Sequence, residues 1–127
     1  MIPRYVFDTG ALIAAERGKE RAARFLRLVA IGRAKLLFPL PVVAEWWRGR
    51  TDAREELLAA GQVVASVDAA KAAGVALARL GGSSRGLTID AIVMATAALA
   101  DAIVITGDPQ DFARFAPHFP GVLVLSV

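Results

Sequence analysis

A chain of 127 residues has the usual size of one domain, and 56% apolar against 21% charged residues excludes a disordered segment and describes a compact globule. The absence of cysteine excludes disulfides, cysteine–zinc sites and thiol nucleophiles, and Asp90 and Asp101 fence the best apolar run below membrane-spanning length. The net charge is +3 and 12 of the 15 basic residues are arginine, a balance that suits an anionic partner without identifying one. The opening MIPRYVFD lacks the length and order of a signal peptide, so residues 1–127 read as one soluble, cytoplasmic domain.

In chain order, RYVFD reads as a short buried strand and TGALIAAERG as a helix stopped at Gly18. From Lys19 to Ile31, Ala22, Phe25, Leu26 and Val29 recur at the spacing of one apolar helix face. KLLFPLP is a short strand or extended segment limited by its prolines, and VVAEWWRG resumes helix as far as Gly49. In DAREELLAAG, Asp52 is the expected cap and Gly61 the stop; QVVASV is a β-branched strand, and Asp68 starts the helix DAAKAAGVALARLGG. Beyond the loop GGSSRGL, Thr88 is placed to cap a long helix through Ala100. AIVIT then reads as a buried strand, PQDFARF as a short helix and GVLVLSV as the last strand. Continuously apolar strands separated by helices imply an α/β fold with a mostly parallel sheet covered on both faces.

In such a sheet, ligands bind beyond the carboxyl ends of the strands, near the point where strand order reverses. Asp8 directly follows the first strand and Asp108 follows AIVIT closely, so both are expected at that edge. Asp90, in the first turn of its helix, and Glu45, between Ala44 and Trp46, are placed to join them. Each acid also has a plainer reading: Asp8 and Asp108 as caps, Asp90 as a first-turn carboxylate favoured by the helix dipole, and Glu45 as a surface residue. Capping does not account for acids collecting at the strand ends of one edge. If the four converge, their repulsion requires protons or a cation, and oxygen ligands without His or Cys select hard ions such as Mg²⁺ or Mn²⁺.

These motifs, taken as an ordered set, resemble the PIN-domain ribonucleases, and in particular the VapC toxins of bacterial toxin–antitoxin pairs. VFDTGALIA resembles the opening motif with Asp8 and Thr9, VVAEWWRG the second with Glu45, DAIVMATA the third with Asp90, and TGDPQDF the fourth with Thr106, Asp108 and Asp111. Gly10 is a small departure, at a position where serine is the more usual residue. The resemblance covers essentially the whole chain and implies a PIN-like three-layer α/β/α sandwich. It also implies a Mg²⁺-dependent endoribonuclease, with Mn²⁺ as an alternative ion, in which a metal-activated water attacks RNA. Asp8, Glu45, Asp90 and Asp108 would then be catalytic and hold the metal, with Glu45 a ligand or an orienter of the attacking water. Thr9 and Thr106 would position the carboxylates, and Asp111 would support the site or cap the short helix. A VapB-type antitoxin and a second copy of the chain are the implied partners.

Arg48 and Arg85, tied by sequence to Glu45 and Asp90, are the expected phosphate contacts. Arg17, Arg21 and Arg24 share a helical phase and read either as a solvated face or as RNA contacts. Of the adjacent Trp46 and Trp47, one is expected in the core and the other in a patch for a partner. His118, in the Pro-flanked FAPHFPG, reads as a loop residue rather than a catalytic one. Two other functions remain open. A phosphoacceptor receiver domain needs a lysine after a late strand, and no lysine follows Lys71. A catalytically inactive PIN fold acting as an RNA- or protein-binding module requires no intact acidic set, which this chain carries.

Overall fold

A computed structural model describes residues 2–127, without the side chain of Ser83. Five parallel strands, β1 (Arg4–Phe7), β2 (Lys35–Pro39), β3 (Gln62–Val64), β4 (Ile103–Thr106) and β5 (Val124–Ser126), form one sheet in the order β3-β2-β1-β4-β5. Seven α-helices flank it among the described residues: α1 (Thr9–Glu16), α2 (Glu20–Ala30), α3 (Leu40–Trp46), α4 (Asp52–Ala59), α5 (Val67–Leu80), α6 (Thr88–Ala100) and α7 (Pro109–Ala113). The result is the expected α/β/α sandwich, with a sheet that is wholly rather than mostly parallel.

The middle strands are apolar on both sides because both sides are covered. Tyr5 and Phe7 point toward α2, where Phe25 meets their rings edge-on at 5.2 and 6.5 Å, while α6 lies across β1, β2 and β4. The largest buried side chains include Phe7, Phe38, Trp46, Phe112 and Phe115, each contributing about 1.5–3 kcal/mol through burial. Trp46 is the core tryptophan: it is 2% exposed and stacks on Phe38 at 6.1 Å. Trp47 is half-buried edge-on against it rather than exposed in an open patch. Strand β3 is short and largely exposed, as befits the sheet edge.

Several helix ends differ from expectation by one or two residues. Thr51 rather than Asp52 caps α4, through its hydroxyl and the Arg54 amide, and Ser66 rather than Asp68 caps α5 in the same way. Thr88 is the first residue of α6 and does not cap it; Leu87 occupies the cap position and supplies no side-chain bond. Helix α3 ends at Trp46, not Gly49, because Trp47 turns to extended backbone. Arg17 is not on the face shared by Arg21 and Arg24, since α1 ends before it and Gly18, at φ +72°, breaks the helical phase. Asp101 ends α6 in the left-handed conformation, with the Ala102 amide bonded back to the Ala97 carbonyl.

No helix among the described residues is long and apolar enough to cross a membrane.

Candidate active site

The strand order reverses between β1 and β4, and both deliver an acid to the same edge. Asp8 leaves β1 and caps α1; Asp108 follows β4 at the start of α7. Acids follow only these two strands: β2, β3 and β5 end at Pro39, Val64 and Ser126, so the acidity belongs to the crossover point and not to the whole edge.

Asp8 is 7% exposed and rigidly held. Its Oδ1 accepts from the Ala11 amide at 2.7 Å and the Gly107 amide at 3.4 Å, and its Oδ2 accepts from the Thr106 hydroxyl. One oxygen caps α1, and lone pairs are left on the carboxylate. Thr106, fully buried, donates to Asp8 while its oxygen accepts from the Asp108 amide at 2.8 Å, so one hydroxyl fixes the two strand ends together. The adjoining loops touch closely, and a Cβ on Gly107 would stand 3.3 Å from the Gly10 backbone. At Gly10 a Cβ would make only ordinary contacts, at 3.5 Å or more, so serine's Cβ would fit there.

Thr106→Val, nearly isosteric, removes both hydroxyl bonds and leaves the Asp108 amide and a buried carboxylate oxygen without partners. Urea denaturation should show a loss of about 1–3 kcal/mol, largely restored by Thr106→Ser. A valine variant as stable as the parent would show that the hydroxyl does not organise these loops.

Glu45 reaches the cleft from α3 and accepts from the Thr9 hydroxyl. The helix behind it is anchored by Glu16, whose carboxylate accepts from the Trp46 indole and from Arg54 at 3.1 Å. Asp90, in the first turn of α6, has no hydrogen-bond or ion-pair partner among the described residues. Burial, followed by the charges of Asp111, Asp8, Glu45 and Asp108, pushes its carboxyl up to about 7. Burial also raises Asp8, against the lowering effect of its hydrogen bonds. Asp111 is the strongest charged neighbour of Asp90, so its carboxylate belongs to the field of the site although it does not line the cleft.

The cleft itself has a volume of about 430 Å³ and brings together Asp8, Thr9, Glu45, Asp90 and Asp108, with Arg17 and Lys19 on its rim. The spacing groups Arg17 with Arg21 and Arg24 and does not single out Lys19, because it cannot show the turn at Gly18 that lies between them. Arg48 and Arg85 are exposed and lie outside the cleft, as does His118. Among the described residues, no three of the acids stand close enough to share one ion. The donor set nonetheless suits a hard cation: all ligand atoms are oxygen, the neighbouring acids help to raise the Asp90 carboxyl, and Asp108 makes no side-chain cap bond that would hold its carboxylate away.

The sequence matches the PIN domain over residues 5–117, and the chain belongs to that family. Its fold is similar to that of VapBC2 from Rickettsia felis bound to a promoter DNA fragment, with a TM-score of 0.76, 15% identity and 98% of each chain covered. DNA-bound VapBC from Salmonella typhimurium gives a TM-score of 0.74 at 18% identity, covering 99% of this chain and 98% of that one. A toxin–antitoxin complex from Klebsiella pneumoniae gives 0.65 at 24% identity, covering 94% and 95%. No curated protein sequence matches the chain.

Proposed function

We propose that this PIN domain is a metal-dependent endoribonuclease, the toxin of a VapBC-type pair acting in the cytoplasm. The observation that carries the reading is the gathering of Asp8, Glu45, Asp90 and Asp108 in one cleft at the crossover of the sheet, with no cationic partner for Asp90 among the described residues. Such a site repels a phosphodiester until a cation intervenes. Asp8, Asp90 and Asp108 would hold Mg²⁺ or Mn²⁺, with Glu45 as a further ligand or as the group that orients the attacking water. When bound, the ion supplies Lewis acidity, making water a nucleophile near neutral pH and stabilising the leaving oxygen. Thr106 and the Ala11 and Gly107 amides fix the Asp8 carboxylate, and Thr9 fixes Glu45, so neither side chain must be ordered during the reaction. Asp111 supports the site through its charge, and Arg48 and Arg85 contact phosphates farther along the strand. The solved VapBC complexes support a VapB-type antitoxin as partner, and a homodimer is part of the same reading.

Purified protein is expected to cleave total RNA with Mg²⁺ present and to stop on addition of EDTA, with cleavage restored by excess Mg²⁺. The spacing of the acids, no three of which share an ion as they stand, favours a second reading as an inactive RNA- or protein-binding module. RNA left intact at saturating Mg²⁺ and Mn²⁺ would decide for it.

A further inference from the structure

A second cleft, of about 510 Å³, lies beside the acidic one between α2 and the edge strand β5. Phe25, Leu28, Val124 and Leu125 give it an apolar floor, and Arg21 and Arg24 stand over it. Successive residues of the same two segments line both clefts: Arg17, Lys19 and Val127 the first, and Arg21, Arg24 and Ser126 the second. The two are thus neighbours along one face.

The cations on this face are free to bind an anion. Arg17, Lys19 and Arg21 have no side-chain ion pair among the described residues. Arg24 approaches Glu20 only at 3.9 Å with both side chains exposed, and Glu20 is held instead by Arg27 at 2.6 Å. A nucleotide presents an anionic phosphate and a flat, largely apolar base, and this cleft offers a partner for each. The acids next door repel RNA, so cations on an adjoining surface are what draws the strand across them.

We propose that the α2–β5 cleft holds a nucleotide of single-stranded RNA flanking the scissile phosphate, its phosphate on Arg21 and Arg24 and its base on the apolar floor. This rests on the ribonuclease reading above. The test is fluorescence anisotropy of a labelled oligouridylate with the full chain in EDTA, where binding is read without cleavage. Arg21→Glu/Arg24→Glu should weaken binding about tenfold or more and lower the salt slope by about two. Arg33→Glu/Lys35→Glu makes the same change of charge near the opposite edge, where Lys35 opens β2, and should shift affinity less than about twofold. Leu28→Ser should weaken binding about threefold while leaving the salt slope unchanged, as loss of base contact rather than charge.

Equal losses from the two charge-reversal pairs, or no binding by the parent protein, overturn the cleft. A parent that binds with this pattern yet cleaves nothing in Mg²⁺ overturns the ribonuclease reading and leaves the cleft standing. A parent that cleaves while the Arg21/Arg24 pair binds normally overturns the cleft alone.

Discussion

Asp8→Asn is expected to reduce Mg²⁺-dependent RNA cleavage by about 10³-fold or more, equivalent to about 4 kcal/mol of transition-state stabilisation. The substitution is nearly isosteric, and the asparagine oxygen still accepts from the Ala11 and Gly107 amides, so the cap of α1 survives. The new amide group can donate to Thr106, whose oxygen already accepts from the Asp108 amide. What disappears is the negative charge, at the best-ordered carboxylate of the site. Burial holds the Asp8 carboxyl above its usual range, so the variant should melt no lower than the parent. Cleavage assays and thermal melts on the same preparations separate the two effects. More than about a tenth of parental activity, in a variant free of contaminating nuclease, would remove Asp8 from the catalytic set.

Asp90→Asn should abolish cleavage as well, yet stabilise the metal-free protein. The Asp90 carboxyl has an ordinary value of 3.8 and is pushed up to about 7 by burial and four neighbouring acids. Between those values the folded chain holds a proton that the unfolded chain has released, so stability falls as pH rises through this window. Below about pH 4 this contribution is fully present, and above about pH 7 it is lost. The side chain is only partly buried, which discounts the effect to on the order of 2 kcal/mol. Urea denaturation in EDTA at pH 8 should therefore find Asp90→Asn about 2 kcal/mol more stable than the parent, with the difference vanishing near pH 4. Mg²⁺ should raise the melting temperature of the parent more than that of the variant, because only the parent has the full repulsion to relieve. A destabilised variant at pH 8 would mean that Asp90 is held by attraction, contrary to its lack of partners.

The core of this site was legible because its information is local. An apolar strand followed at once by an acid identifies Asp8 and Asp108, and the alternation of strands and helices places both at one edge. The helix caps were less legible, since Thr51 and Asp52, or Ser66 and Asp68, are chemically equivalent candidates and only backbone geometry chooses between them. Arg17 was misplaced because helical phase was carried through Gly18, whose positive φ redirects the chain. The influence of Asp111 on Asp90 and the anchoring of α3 by Glu16, Trp46 and Arg54 depend on contacts between distant segments, which no spacing reveals.

The hydroxyl of Thr106 bonds a carboxylate 98 residues earlier in the chain. During synthesis, β1 and α1 emerge long before β4 is available to pair with them. Until that pairing closes, Asp8 keeps the Ala11 amide but lacks the Thr106 hydroxyl and the Gly107 amide, and Asp108 has no fixed place, so the nascent polypeptide carries an incomplete site. Whatever chemistry the cleft performs therefore starts only when β4 docks, once most of the chain has been made.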